Sequence, residues 1–275
     1  MSPKTHRTGR MLLVAGLAAV AAGSLAAHEL FLKLSTYFLP PDTAVQALLL
    51  NGTFVKSEGP VTRDRIADYS LVSPGGRTTL DTTAITPRGD STHLRFRTAG
   101  PGTYVMGLSV KPREIALTGE QFNGYLKEEG LDEVLAERTR TGTLGTPAKE
   151  RYAKHVKAVF QVGDARSHQF GTVLGYPAEI VPLENPYELK PGGTLRVRCL
   201  VNGQPAAGLV VLAGGTSSRG TSIGQIRATS DTDGVARVPL GTAGRWYVKF
   251  ISMRKSDEGD LTHESQWATL TFQIR

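Results

Sequence analysis

The chain has 275 residues, 40 % hydrophobic and 21 % charged, with Gly 31 and Pro 15. That balance excludes whole-chain disorder, a collagen-like repeat and low complexity. A single cysteine excludes an intrachain disulfide framework and a Cys-rich zinc module.

Lys4, Arg7 and Arg10 open the chain, and no acid precedes Glu29. Met11 to Ala27 then reads MLLVAGLAAVAAGSLAA. The run is shorter than the roughly 20 residues of a membrane span, weakly hydrophobic, and ends in small residues. It predicts a cleaved secretory signal peptide over 1–27, cut after Ala26 or Ala27. The expected product is periplasmic or secreted, with no stable membrane anchor. Removing the leader takes Lys+Arg from 32 to 29 against 25 acids, a net charge of +4. No Lys/Arg block with interleaved aromatics follows, so nucleic acid is not an expected partner.

Period-two patterning begins at once. Leu30, Leu32 and Leu34 alternate, as do Val45, Ala47 and Leu49, and then Leu94 and Phe96. These predict half-buried strands. Pro40-Pro41, Asn51-Gly52, Pro74-Gly75-Gly76 and Gly100-Pro101-Gly102 supply turns, and a strand over Thr103–Val110 closes the unit. From Thr118 the composition turns to helix formers. Leu126, Leu131 and Leu135 can share a face, and Thr118 with Gln121 matches a capping box. After Gly142–Pro147 a second short helix is expected over AKERYAKHVKAV. Strands are expected again at Val159–Val162, Val173–Leu174 and Ile180–Pro182. Further strands contain Leu195, Val197 and Cys199, then Leu209–Leu212, Val235–Val238, Trp246–Phe250 and Ala268–Ile274. Asp231-Thr232-Asp233-Gly234 reads as a hairpin turn between two of them. Gly214 to Gly220 reads as a flexible loop.

A weak repeat links the halves. LPPDTAVQALLLNG (39–52) resembles LKPGGTLRVRCLVNG (189–203), and Gly102-Thr103-Tyr104-Val105 echoes Arg245-Trp246-Tyr247-Val248. The expected fold is mostly β: two immunoglobulin-like or transthyretin-like antiparallel sandwiches with a helical insert. Their bounds are an N-terminal sandwich over 28–117, the insert over 118–158 and a C-terminal sandwich over 159–275.

Several short motifs follow one another in a distinctive order. They are Ala27-His28-Glu29-Leu30-Phe31, Tyr125-Leu126 through Glu129-Gly130-Leu131, Lys149-Glu150-Arg151-Tyr152 with Lys154 and Lys157, and Gly175-Tyr176-Pro177 with Glu179 and Pro182. Asn185-Pro186, Leu189 and Gly193 come next, then Gly244 to Val248 and Glu264 to Leu270. In this order the chain resembles a bacterial periplasmic NikM-like family, linked by name to nickel or cobalt uptake. The resemblance implies a secreted β-rich protein that handles a transition metal. A membrane uptake system is the partner it implies, because the chain lacks the spans of a permease.

The residues themselves allow a metal reading. A histidine at a mature amino terminus chelates through amine and imidazole. One place further on, amine, amide and imidazole together suit Ni or Cu. His28 is therefore the expected primary ligand for nickel, cobalt or copper, as the free ion or as a complex. His263, in the polar loop 256–265, is the expected second imidazole. Glu29 and Glu264 are expected oxygen ligands, with Asp257, Glu258 and Asp260 nearby. His93 is expected to be exposed before a strand and His168 in a loop. His155, between Lys154 and Lys157, is expected at the surface, where its positive neighbours oppose a cation.

Motifs for a serine nucleophile, a phosphate loop or a paired-histidine zinc site do not occur. Cys199 is expected to be a core thiol, and Trp246 and Trp267 to pack in the core. Two alternatives stay open beside a metal-binding protein. One is a non-metal binding module of the cell envelope. The other is a copper enzyme with an amino-terminal histidine brace.

Overall fold

The computed structural model describes residues 29–275; the leader and His28 lie outside the described residues. The elements run, in chain order, β1 (Glu29–Leu34), β2 (Phe38–Leu39), β3 (Ala44–Gly52), β4 (Ile66–Ser73), β5 (Gly76–Thr79), β6 (Ile85–Arg88), β7 (Ser91–Arg97), β8 (Gly102–Val110) and β9 (Arg113–Leu117). Helices α1 (Gly119–Glu128) and α2 (Asp132–Arg140) follow. Then come β10 (Ala148–Val162), β11 (Ala178–Pro182), β12 (Thr194–Val201), β13 (Gln204–Pro205), β14 (Val210–Ser217), β15 (Ser222–Thr229), β16 (Val235–Pro239), β17 (Gly244–Lys255) and β18 (His263–Ile274).

The described residues are mostly β, in three sheets. The largest has ten strands and runs β15-β14-β17-β18-β10-β8-β4-β5, with β2 and β9 also paired to β10. Four-stranded sheets β1-β3-β7-β6 and β11-β12-β13, the latter with β16 on β12, cover its two faces. Strand alternation separates the two cores. Tyr104, Met106, Ala158 and Phe160 face the core under β1, β3 and β7, while Val105 and Val159 face the core under β11, β12 and β16. The two repeat segments sit in comparable places. β3 and β12 are each paired on both edges within a small sheet, and β8 and β17 lie inside the large one.

Most sequence expectations for strands correspond to observed ones, and the capping box forms in full: Thr118 accepts from Gln121 N–H while the Gln121 side chain accepts from Thr118 N–H. Leu126, Leu131 and Leu135 pack with Phe122, Tyr125, Ile251 and Trp267. Four local expectations are corrected. Residues 148–158 are not a helix but the first part of β10. Their Ala, Lys and Glu favour helix only weakly, and pairing on both edges overrides that preference. β18 runs parallel along one edge, and β9 and β8 run antiparallel along the other. Val173–Leu174 is an irregular segment, because the Leu174 N–H, with those of Gly175 and Tyr176, is turned to the buried Glu179 carboxylate. The turn at Asp231 exists, with Gly234 N–H on Asp231 O at 2.9 Å. Yet it joins β15 and β16, which pair in different sheets, so it is no hairpin. Gly214 and Gly215 belong to β14, against Tyr247 and the Arg245 backbone. A Cβ at Gly214 would lie 2.7 Å from the Tyr247 hydroxyl.

Candidate functional site

β10 carries the chemistry of the molecule. Its residues alternate between the two faces of the large sheet, so Glu150, Tyr152 and Lys154 share one side and Arg151, His155 and Lys157 the other. β18 adds Ser265 and Trp267 to the first side. α1 lays Tyr125 flat on Trp267, with ring centroids 5.7 Å apart and planes 7° apart.

Glu150, Tyr152, Lys154 and Trp267 form the floor of a cavity of about 430 Å³. Its walls come from Leu30, Val61, Val110 and Ile115, and its cations from Arg65, Arg113 and Lys154. Glu150 is 2 % exposed, Lys154 6 % and Trp267 3 %. The Lys154 ammonium sits over the Trp267 ring at 4.5 Å and near the Tyr152 ring at 5.2 Å. Such cation–π contacts strengthen when water is excluded. One Glu150 oxygen accepts from Tyr125 Oη at 3.3 Å and from the Ser265 hydroxyl. Trp267 Nε1 donates to Ser265 Oγ at 2.9 Å.

The charges on this floor are strained by burial. Burial raises the Glu150 carboxyl above the usual carboxylate range, against the pull of its Ser265, Tyr125 and Lys154 neighbours. Burial lowers the Lys154 ammonium to about 8, although Glu150 and Glu129 act to hold its proton. Arg65 donates through Nη2 to Lys111 O at 3.0 Å, while its Nε is buried without a hydrogen-bond partner among the described residues. A buried donor without an acceptor costs about 1–3 kcal/mol.

A second group of charges borders a cleft of about 320 Å³ where β1 begins. Lys249 bridges Glu129, at 2.7 Å, and Glu29. Glu58, Glu128 and Tyr247 line the same cleft. Burial drives Glu129 up, with Glu128 adding to it, and burial drives Lys249 down.

On the far face of β10 the polar groups are closed off. Lys157 and Glu179 pair at 3.2 Å with side chains 1 % exposed. Glu179 also accepts from the backbone N–H of Leu174 (2.9 Å), Gly175 and Tyr176 (2.7 Å), and Lys157 donates to Thr172 O at 2.8 Å. His155 is buried, not at the surface as its lysine neighbours suggested. It bridges Ser109 and Gln266 at 2.9 Å each, because the helix expected there is a strand in the middle of the sheet.

The residues expected to hold a metal are placed as follows. His28 lies outside the described residues. Glu29 opens β1 and is held by Lys249. His263 is not in a loop but is the first residue of β18. It is buried, with its ring 4.8 Å from that of Phe122 and Nδ1 2.9 Å from Thr262 Oγ1. Burial lowers its pKa to about 4, helped by Arg138 and Lys255. Glu264 points to the other face and is held by Arg151 at 3.1 Å and by Arg254. Lys249 pairs with Thr269 across the sheet, six residues along β18 from His263, which is about 20 Å. Glu29 and His263 thus belong to separate sets. Glu258 and Asp260 are taken by Arg151 (2.7 Å) and Lys149 (2.8 Å). Among the described residues no three His, Cys, Asp or Glu side chains are grouped to hold a metal ion. His93 is half-buried within β7, and His168 stands in a 3-10 turn.

Cys199 is a buried thiol raised to about 12 by burial, and Trp246 is fully buried. Lys154 and Arg65 carried no site signal in the sequence. A period-two reading of Glu150, Tyr152 and Lys154 would have found their shared face. Among the described residues no helix is long and apolar enough to cross a membrane.

Three solved structures align with most of the chain at low similarity. They are a tetra-tandem repeat in the extending region of a large adhesion protein (12 % identity, 90 % of this chain and 50 % of that one, TM-score 0.23), a trypsin-activated alpha-2-macroglobulin from Escherichia coli (12 %, 90 % and 16 %, 0.23) and the BSP domain of a biofilm-associated protein (10 %, 88 % and 29 %, 0.19). The chain therefore spans half or less of each of them, and overlaps this weak carry no argument. No curated protein matches the sequence. A family model does, over residues 25–254, and the chain belongs to that family, described as a domain of unknown function, DUF4198.

Proposed function

We propose that this DUF4198 protein is a binding protein of the cell envelope, and that it takes a small ligand into the cavity over β10. The floor of that cavity carries the reading. Lys154 and Glu150 are buried charges, and burial costs several kcal/mol per ion even after relaxation. They nevertheless line an open volume of about 430 Å³ with apolar walls. Charged groups with perturbed pKa at the bottom of an apolar pocket are the usual signature of a ligand site. The leader over 1–27 supports delivery to the periplasm. In this reading the layers over 28–117 and 159–275 are immunoglobulin-like or transthyretin-like frames that hold the pocket between them. A thermal-shift panel of small molecules tests it. Ligands should stabilise the protein, and Ile115→Trp, which fills the cavity, should abolish every shift. Shifts that survive Ile115→Trp contradict the assignment.

A second reading rests on the cleft at the start of β1. Glu29, Glu58, Glu128 and Glu129 line it, and Glu29 is the chain neighbour of His28. In this reading His28, with Glu29, binds nickel, cobalt or copper for a membrane uptake system, as the NikM-like resemblance implies. Metal content of the processed protein, measured with and without His28→Ala, decides it. Near-stoichiometric metal that disappears in the variant supports the reading. Equal, sub-stoichiometric content in both overturns it.

A further inference from the structure

We propose that the cavity over β10 is selective for a small organic carboxylate, with its negative group toward Arg65 and Lys154 and its apolar body against Leu30, Val61, Val110 and Ile115. The inference rests on the pocket reading above and names the ligand class. Three cations, Arg65, Arg113 and Lys154, line the cavity against one carboxylate, Glu150. That carboxylate is already engaged, since Tyr125 and Ser265 both donate to it. Arg65 Nε is buried without a partner among the described residues. A ligand anion in the cavity offsets the surplus of positive charge, and charge-assisted bonds are roughly twice as strong as neutral ones. A cationic ligand would meet the same three positive charges and be repelled.

The walls exclude a bare inorganic anion as the best occupant. Leu30, Val61, Val110 and Ile115 offer nothing to hydrogen-bond, and their burial is favourable only against carbon. At the floor Tyr125 stacks on Trp267 and the Lys154 ammonium lies over the Trp267 ring, so a bound anion sits close enough to the indole to change its emission. Arg113 is exposed at the mouth and can attract an anion from solvent.

Benzoate, benzamide and benzylamine share shape and differ in charge, so they separate the terms. Each is titrated into the full-length protein while Trp267 emission is followed, with thermal shift in parallel. Trp246 is buried in the opposite core and provides a constant background. The expected result is saturable quenching by benzoate, at least tenfold weaker binding of benzamide, and no binding of benzylamine. Arg65→Gln should weaken benzoate at least tenfold and leave benzamide unchanged. Equal binding of benzoate and benzamide, or benzoate binding untouched by Arg65→Gln, overturns the carboxylate inference and leaves the pocket reading intact. If none of the three quenches Trp267 or shifts the melting temperature, the pocket reading falls with it.

Discussion

Two lysines three residues apart on β10 sit in opposite circumstances. Lys157 faces the core under β11 and β12, and Lys154 faces the cavity under β9 and α1. Lys157 meets a carboxylate at 3.2 Å and a carbonyl at 2.8 Å, and its Glu179 partner takes three backbone N–H groups besides. Every strong group there is answered inside the protein. Lys154 rests on aromatic faces beside a carboxylate that two hydroxyls already hold and lines an open cavity, and an arginine donor nearby has no acceptor among the described residues. The contrast teaches how to read buried charge. A network that closes on itself holds the fold. A buried charge cluster that borders an open volume with a surplus of cations is set for a ligand.

The largest expected effect tests the closed side. Lys157→Met leaves Glu179 buried without its cation and should cost about 3–5 kcal/mol. In a chain of this size that lowers the melting temperature by roughly 6 °C or more. Lys154→Met should cost less than about 2 kcal/mol, because Glu150 keeps its Tyr125 and Ser265 donors. Equal losses in calorimetry would erase the distinction between the two faces.

Next in size is Arg65→Gln. Stability should stay within about 1 kcal/mol, since the change removes one surface-side hydrogen bond and one unanswered donor. Benzoate affinity should nevertheless drop. A large loss of stability without a change in affinity would move Arg65 to the structural side.

A smaller effect concerns His263. Its folded pKa, about 4, lies below its ordinary 6.5 because of burial and the nearby Arg138 and Lys255. Between those values the unfolded chain binds the extra proton. Stability is therefore full above pH 6.5 and falls as the pH drops toward 4. His263→Phe, which keeps the ring against Phe122, should reduce that fall when urea midpoints at pH 7 and pH 5 are compared. An unchanged difference would show that other groups carry it. The smallest effect concerns Cys199. Its buried thiol, raised to about 12, should stay unlabelled by a thiol reagent at pH 8 until the protein unfolds. Rapid labelling of the native protein would contradict the burial.

Much of the fold was legible from period-two patterning. Leu30, Leu32 and Leu34, Val197 and Cys199, and Trp246 and Val248 declare strands because one face of each is apolar. The capping box at Thr118 was equally plain, since its two hydrogen bonds are local. β10 was not legible. Its first half carries Lys, Glu and Arg on both faces, so no apolar stripe marks either one. Only long-range pairing with β18 and β9 makes it a strand, and that information is not local. The site was missed for the same reason. Lys154 and His155 read as a solvated positive surface until the strand puts them in the interior. Arg65 lies 89 positions earlier than Lys154, at the end of a 3-10 turn (Arg63–Arg65) that no motif connects to β10. His263 was misplaced by its polar neighbours, although Trp267 and Leu270 already showed that a strand lay close by.

The most direct test compares the two lysines in one sample. The side-chain ammonium groups of 15N-labelled protein are followed by NMR near pH 6 as benzoate is added, with Lys154→Arg used to assign the Lys154 signal. The account predicts that the Lys154 signal moves and saturates while the Lys157 signal stays in place. A Lys154 signal that does not move, or signals from both lysines that move together, would contradict it.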